Sequence, residues 1–215
     1  IFQFTAACSQ AANHFELVTE RQKVSIIYDK DGVALDSIAA HLLAKDIERV
    51  SGYLPQVTTA INSVSGNAIV IGSQASDLIQ SFSEATTPKQ EAWESYTLKL
   101  VKPKSSPIKN ALVIAGADAR GTAYGVFDIS EKIGVSPWYW WADVVPEKQE
   151  ELTLEVSSFQ SKSPQVKYRG IFLNDEDWGL QPWAEHTFEP ETGDIGPKTY
   201  AKIFELLLRL KANAI

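Results

Sequence analysis

The sequence has one cysteine and no methionine in 215 residues. A single thiol excludes an intrachain disulfide framework and a thiolate zinc site, so neither holds this fold together. No apolar run approaches the ~20 residues needed to span a bilayer, so no membrane span is expected. Basic runs are missing too: Lys and Arg number 20 against 27 Asp and Glu, and the net charge of −7 offers no footprint for a nucleic-acid backbone. With 12 Gly, 10 Pro and 44% hydrophobic residues, the disordered and collagen-like classes are excluded as well. A chain that starts at Ile1 without Met is expected to be a piece whose natural start was processed away or lies outside it. The small residues before Cys8 match a lipoprotein acceptor site, although a short first strand with Cys8 as a small buried hydrophobe is the favoured reading.

What is present is a globular α/β pattern. Val24 to Tyr28 reads as a strand ending at the turn Asp29-Lys30-Asp31-Gly32. Leu35, Ile38, Ala39, Leu42, Leu43, Ile47 and Val50 recur at helical spacing, with Gly52 where a C-terminal cap belongs and Pro55 just beyond. Ala68 to Ser73 and Ala111 to Ala115 are short continuous apolar runs, as buried strands are, and Tyr96 to Lys102 alternates as a half-buried antiparallel strand does. A helix follows from about Ala119 to Ile133, with Gly134 to end it. Residues 23 to 157 therefore predict a mixed sheet with helices packed on it.

The Ser-rich stretch Ser157 to Pro164 is the best linker signal, which gives an α/β domain over 1–160 and a second unit over 165–215. In that unit Val166 to Leu173 reads as a strand, Asn174 to Gly196 as a polar loop, Pro197 to Leu210 as a helix, and Asn213 to Ile215 as the start of another strand. That order is one βα repeat of a parallel architecture.

The chemistry concentrates where the predicted strand ends, at Asn174-Asp175-Glu176-Asp177-Trp178. Parallel α/β folds bind ligands beyond the carboxyl ends of their strands, and like charges this close raise the pKa of one carboxyl, which suits a proton donor. Period-2 alternation puts Asp175 and Asp177 on one side and Asn174 with Glu176 on the other, so only one side faces the opening. A solvated acidic loop is the equally weighted plain reading. The run Trp138-Tyr139-Trp140-Trp141 suits a core or domain interface first, whereas Trp178 and Trp183, in the polar loop, lean toward stacking on sugar rings. His14, His41 and His186 lack metal-ligand spacing, and Gly116 to Thr122 lacks a phosphate-loop pattern, so neither metal nor cofactor is expected.

Two long segments carry a family resemblance. Arg120-Gly121-Thr122-Ala123-Tyr124-Gly125-Val126-Phe127-Asp128-Ile129 running on to Pro137-Trp138-Tyr139-Trp140-Trp141-Ala142-Asp143-Val144, followed by Arg169-Gly170-Ile171-Phe172-Leu173-Asn174-Asp175-Glu176-Asp177-Trp178-Gly179, resembles glycoside hydrolase family 115, the xylan α-1,2-glucuronidases. The resemblance runs from about Val24 to Ile215. It implies an N-terminal domain like that of family 67 α-glucuronidases, then the first βα unit of a (β/α)8 barrel, with helical and β-sandwich domains to follow.

The activity it implies is release of glucuronic acid or its 4-O-methyl ether from glucuronoxylan or its oligosaccharides with inversion, by an acid and a base about 6.5–9.5 Å apart. By resemblance Asp175 or Glu176 touches substrate or catalytic water, and Asn174, Asp177, Trp178 and Trp183 bind substrate. The group that meets the uronate carboxylate is expected downstream of Ile215, since Arg169 precedes the cluster by several residues. The implied location is secreted or periplasmic, with a lipid anchor as a variant and homodimerisation through later domains left open, and the segment alone is expected to be inactive. A non-catalytic carbohydrate-binding or scaffolding module is the rival reading, and the Asp-x-Asp form of a metal-binding glycosyltransferase is a distant third.

Overall fold

The computed structural model describes residues 13–82, 92–104, 106–174 and 178–215. Residues 1–12, with Cys8, lie outside the described residues, as do Asp175, Glu176 and Asp177.

The chain forms β1 (Asn13–Val18), β2 (Ser25–Tyr28), α1 (Ala34–Ser51), β3 (Val57–Thr58), β4 (Gly66–Ser73), α2 (Asp77–Gln80), β5 (Tyr96–Val101), β6 (Ile108–Gly116), α3 (Ala119–Lys132), β7 (Leu152–Val156), β8 (Phe159–Gln160), α4 (Leu180–Trp183) and α5 (Pro197–Arg209). Six strands make one mixed sheet in the order β3-β2-β4-β6-β5-β8. The β2/β3, β2/β4 and β4/β6 pairs are parallel, and β5 runs antiparallel to both β6 and β8. The expected mixed α/β class is what the chain adopts.

The continuous apolar runs follow from burial on both faces. Ile26, Ile69, Ile71, Leu112 and Ile114 point to a core shared with α1 and α3, and their neighbours Ile27, Ala68, Val70, Ala111 and Val113 point to the opposite core with Ile79 of α2. The β5 strand is more buried than its alternation implied, because β8 covers its outer edge and even Thr97 is buried. Gly52 takes φ 77° at the end of α1, the left-handed conformation that glycine adopts freely. At Gly121 a Cβ would lie 2.2 Å from the Ser95 carbonyl oxygen, so α3 sits this close to β5 only because the side chain is absent. The sequence reading missed the antiparallel pair β1 and β7, whose Phe15, Leu17, Leu152 and Leu154 join the α1/α3 core. No helix among the described residues is long and apolar enough to cross a membrane.

Phe159–Gln160, inside the Ser-rich stretch, forms the edge strand β8, and Ser161 exchanges hydrogen bonds with Tyr96. The predicted strand over Val166 to Leu173 is absent: its one ladder contact is the parallel bridge between Gly170 and Ala214. A strand needs paired neighbours, and here Phe172 is 93% exposed. The parallel sense of that bridge nevertheless agrees with a βα repeat closed by α5.

A polar cluster fastens this segment to the sheet. Glu94, with its side chain fully buried and φ 49°, accepts hydrogen bonds from Arg120, Arg169 and Asn213. Burial alone would raise its pKa, but the hydrogen bonds from Asn213 and the Arg169 guanidinium hold it below the ordinary glutamate value. Its contribution to stability is thus fully present above that ordinary value and is lost as pH falls through the lowered one. Glu94→Gln is expected to lower stability by about 1–3 kcal/mol at neutral pH. Denaturant melts should show the gap from the native protein closing as the medium is acidified.

Candidate functional site

The tip that follows Leu173 runs into α4 and then a single π-helical turn, Ala184–Phe188, in place of the extended polar loop. The buried carboxylate of Glu189 secures this turn. It accepts hydrogen bonds from the backbone N–H groups of Lys198 and Thr199 at 3.1 and 3.0 Å, and from the Thr199 hydroxyl at 3.1 Å. These are donors at the first turn of α5, which Gly196 caps without a side-chain oxygen. A Cβ on Gly196 would stand 2.4 Å from Glu189 Oε1, so the glycine leaves room for the remote cap.

Held in this way, Trp183 and Phe188 stack with planes 10° apart and centroids at 5.2 Å. Trp140, from the turn after α3, meets Trp141 edge-on at 4.8 Å, Phe188 at 5.0 Å and Trp183 at 6.0 Å. Such pairs each contribute about 0.5–1.5 kcal/mol beyond burial. The Trp141 indole N–H donates to the Lys202 carbonyl at 3.2 Å, which ties the turn to α5. Between the turn and α4 lies a cleft of about 690 Å³ lined by Tyr139, Trp140, Trp141, Asp143, Leu180 and Trp183.

Of the residues singled out in sequence, Trp183 forms a wall of this cleft. Trp178 is 83% exposed and does not line it, and Asn174 is exposed just upstream. Gly179, the first described residue after Trp178 in the chain, is part of the lining. Trp140 and Trp141 contact Lys202 of α5 and wall the cleft too. Sequence reading missed Phe188, Leu180 and Glu189, for which the only available signal was an aromatic within five residues of Trp183.

The electrostatics of the cleft are defined by committed cations. Arg169 is bound to Glu94 and to the carbonyls of Lys211 and Val166, so it does not serve a uronate carboxylate. Lys202 lies 5.3 Å above the Trp140 ring with its ammonium on Glu205 at 3.0 Å. The cleft presents ring faces, indole edges and the Asp143 carboxylate, which together fit an uncharged sugar ring better than an anionic one. Among the described residues no group of three or more His, Cys, Asp or Glu is placed to hold a metal ion.

The family model described as glycosyl hydrolase family 115 matches residues 161–215. No curated protein matches the chain. A solved structure described as a novel family GH115 4-O-methyl-alpha-glucuronidase, with specificity for decorated arabinogalactans, is similar over 88% of this chain at 39% identity and a TM-score of 0.73. The chain spans 24% of that protein's length. A second structure, described as a GH138 enzyme targeting pectin rhamnogalacturonan II, aligns over 89% of this chain and 18% of its own at 13% identity and a TM-score of 0.49.

Proposed function

Because the chain belongs to glycoside hydrolase family 115, we propose that it supplies the N-terminal α/β domain and the first βα unit of a (β/α)8 barrel to an enzyme that removes glucuronic acid or its 4-O-methyl ether from a polysaccharide. The observation that carries this reading is the 39% identity, over 88% of the chain, to a protein described as a 4-O-methyl-alpha-glucuronidase. The domain boundary falls in the Ser157 to Pro164 stretch, and residues 165–215 form the barrel's opening unit.

In this reading the Asn174 to Trp178 tip borders the active site. One carboxylate of Asp175 and Glu176 orients the catalytic water or the reacting sugar, and its counterpart comes from elsewhere in the enzyme. Inversion needs a water between acid and base, hence a separation of about 6.5–9.5 Å. The aromatic cleft holds a neutral sugar of the chain that carries the uronic acid, while the uronate carboxylate is met by a cation outside the cleft. Glucuronoxylan and decorated arabinogalactan are the substrates to compare, and release of free uronic acid by the enzyme that contains this chain is the test. Binding of either glycan without release, at every pH tried, would favour a carbohydrate-binding module instead.

If Trp183 holds substrate without joining the chemistry, Trp183→Ala removes binding equally from ground and transition states. It is then expected to raise KM about tenfold, some 1.4 kcal/mol, with kcat nearly unchanged. Trp183→Phe should recover most of that loss. Steady-state kinetics of the enzyme that contains this chain, on an oligosaccharide substrate, read both.

A further inference from the structure

A second crevice, which shares no lining residue with the aromatic cleft, lies at the carboxyl ends of β2 and β4. From β2 the chain passes through α1 to β3 on one side of the sheet. From β4 it passes on to β5 and β6 on the other side. Neighbouring parallel strands whose connections leave in opposite directions part their loops, and open α/β sheets bind ligands at such switch points. The helices reinforce the separation, since α1 packs on one face and α2 on the other. The resulting cavity of about 460 Å³ lies in the size range of small-molecule sites.

Its lining is rich in acceptors and negative charge. Asp29, Asp31, Asp36 and Asp77 line it together with Ser73 and Ser76. The hydroxyl oxygens of Ser73 and Ser76 accept from the backbone N–H groups of Ala75 and Ile79. The only lysine in the β2–α1 turn, Lys30, is spent on Asp31. Asp36 is 2% exposed, and its Oδ1 is buried without a hydrogen-bond partner among the described residues. Burial together with the charge of Asp29 pushes Asp36 up to about 6, although a hydrogen bond with the Val33 backbone acts to lower it.

The missing donor has a definable character. The carboxylates are not gathered as a metal's ligand set. Among the described residues no aromatic ring lines the crevice to receive a sugar face, and its four carboxylates outweigh the α3 N-terminus at Ala119 and Thr122, so an anion such as a uronate would be repelled. We propose that this switch-point crevice binds a small organic cation with N–H donors, an alkylammonium or guanidinium compound, whose charged end lies against Asp29 and Asp36. The assignment stands on the crevice alone and does not depend on the glycan reading.

Titration calorimetry at low ionic strength and pH 7.5, with 1,4-diaminobutane as the probe, tests it against xylose and glucuronate. The expected result is saturable binding of the diamine, weakened about tenfold or more in both Asp29→Asn and Asp36→Asn, with no heat from glucuronate. Thermal melts and circular dichroism of the two variants confirm that they fold as the native protein does. Absence of saturable diamine binding, binding that both substitutions leave intact, or xylose binding that they abolish would each overturn the proposal.

Discussion

Arg209→Ala is expected to cost about 3–5 kcal/mol of folding stability, because it leaves a buried carboxylate without its main partner. The guanidinium, 2% exposed, grips Asp46 of α1 through both terminal nitrogens at 2.8 and 3.0 Å and donates through Nε to Glu205 at 3.0 Å. Its carbon lies 4.7 Å from the Phe127 ring centroid and 4.8 Å from that of Tyr139. Asp46 is fully buried and among the described residues would retain as cationic partner only Arg49, at 2.9 Å, which is itself partly exposed. The Tyr139 hydroxyl donates to Glu205 at 2.8 Å, and burial together with that carboxylate pushes its pKa up to about 12. One substitution therefore disturbs α1, α3, α5 and the turn that carries the cleft. At ~2–4 °C per kcal/mol for a chain of this size, the melting point should fall by about 6–20 °C. The double change Asp46→Leu with Arg209→Met removes both buried charges and is expected to recover part of that loss. A double variant less stable than Arg209→Ala would count against desolvation as the cause.

The second large effect is on turnover. If one carboxylate of the tip serves the reaction, either Asp175→Asn or Glu176→Gln should lower kcat by about 10²–10⁴ with little change in KM, and the other should not. The asymmetry follows if a single carboxylate reaches the reacting sugar or its water. Circular dichroism checks that both variants fold as the native protein does. Equal, modest losses from the two would point instead to a solvated acidic loop.

Much of the fold was legible because it is written at short range. The helical spacing from Leu35 to Val50 and the Gly52 cap define α1, and the apolar runs at Ala68 and Ala111 define β4 and β6, since strands buried on both faces need no alternation. What stayed hidden depends on partners far along the chain. Phe15 is paired with Leu154, and Glu94 is held by Arg169 and Asn213, contacts that no local period announces. The segment Val166 to Leu173 shows the opposite error, an apolar alternation that lacks the paired neighbours to become a strand. In the site, Trp183 was readable as an aromatic in a polar loop, but its stacking on Phe188 required the π-helical turn, next to which Glu189 ties the loop to the first turn of α5.

The most direct measurement is time-resolved proton NMR of the purified enzyme that contains this chain, acting on an oligosaccharide that carries an α-linked 4-O-methylglucuronic acid. Hydrolysis with inversion releases the β anomer first, followed by slow equilibration with the α form. No new anomeric signal from a folded, glycan-binding protein, or first appearance of the α anomer, would contradict the account.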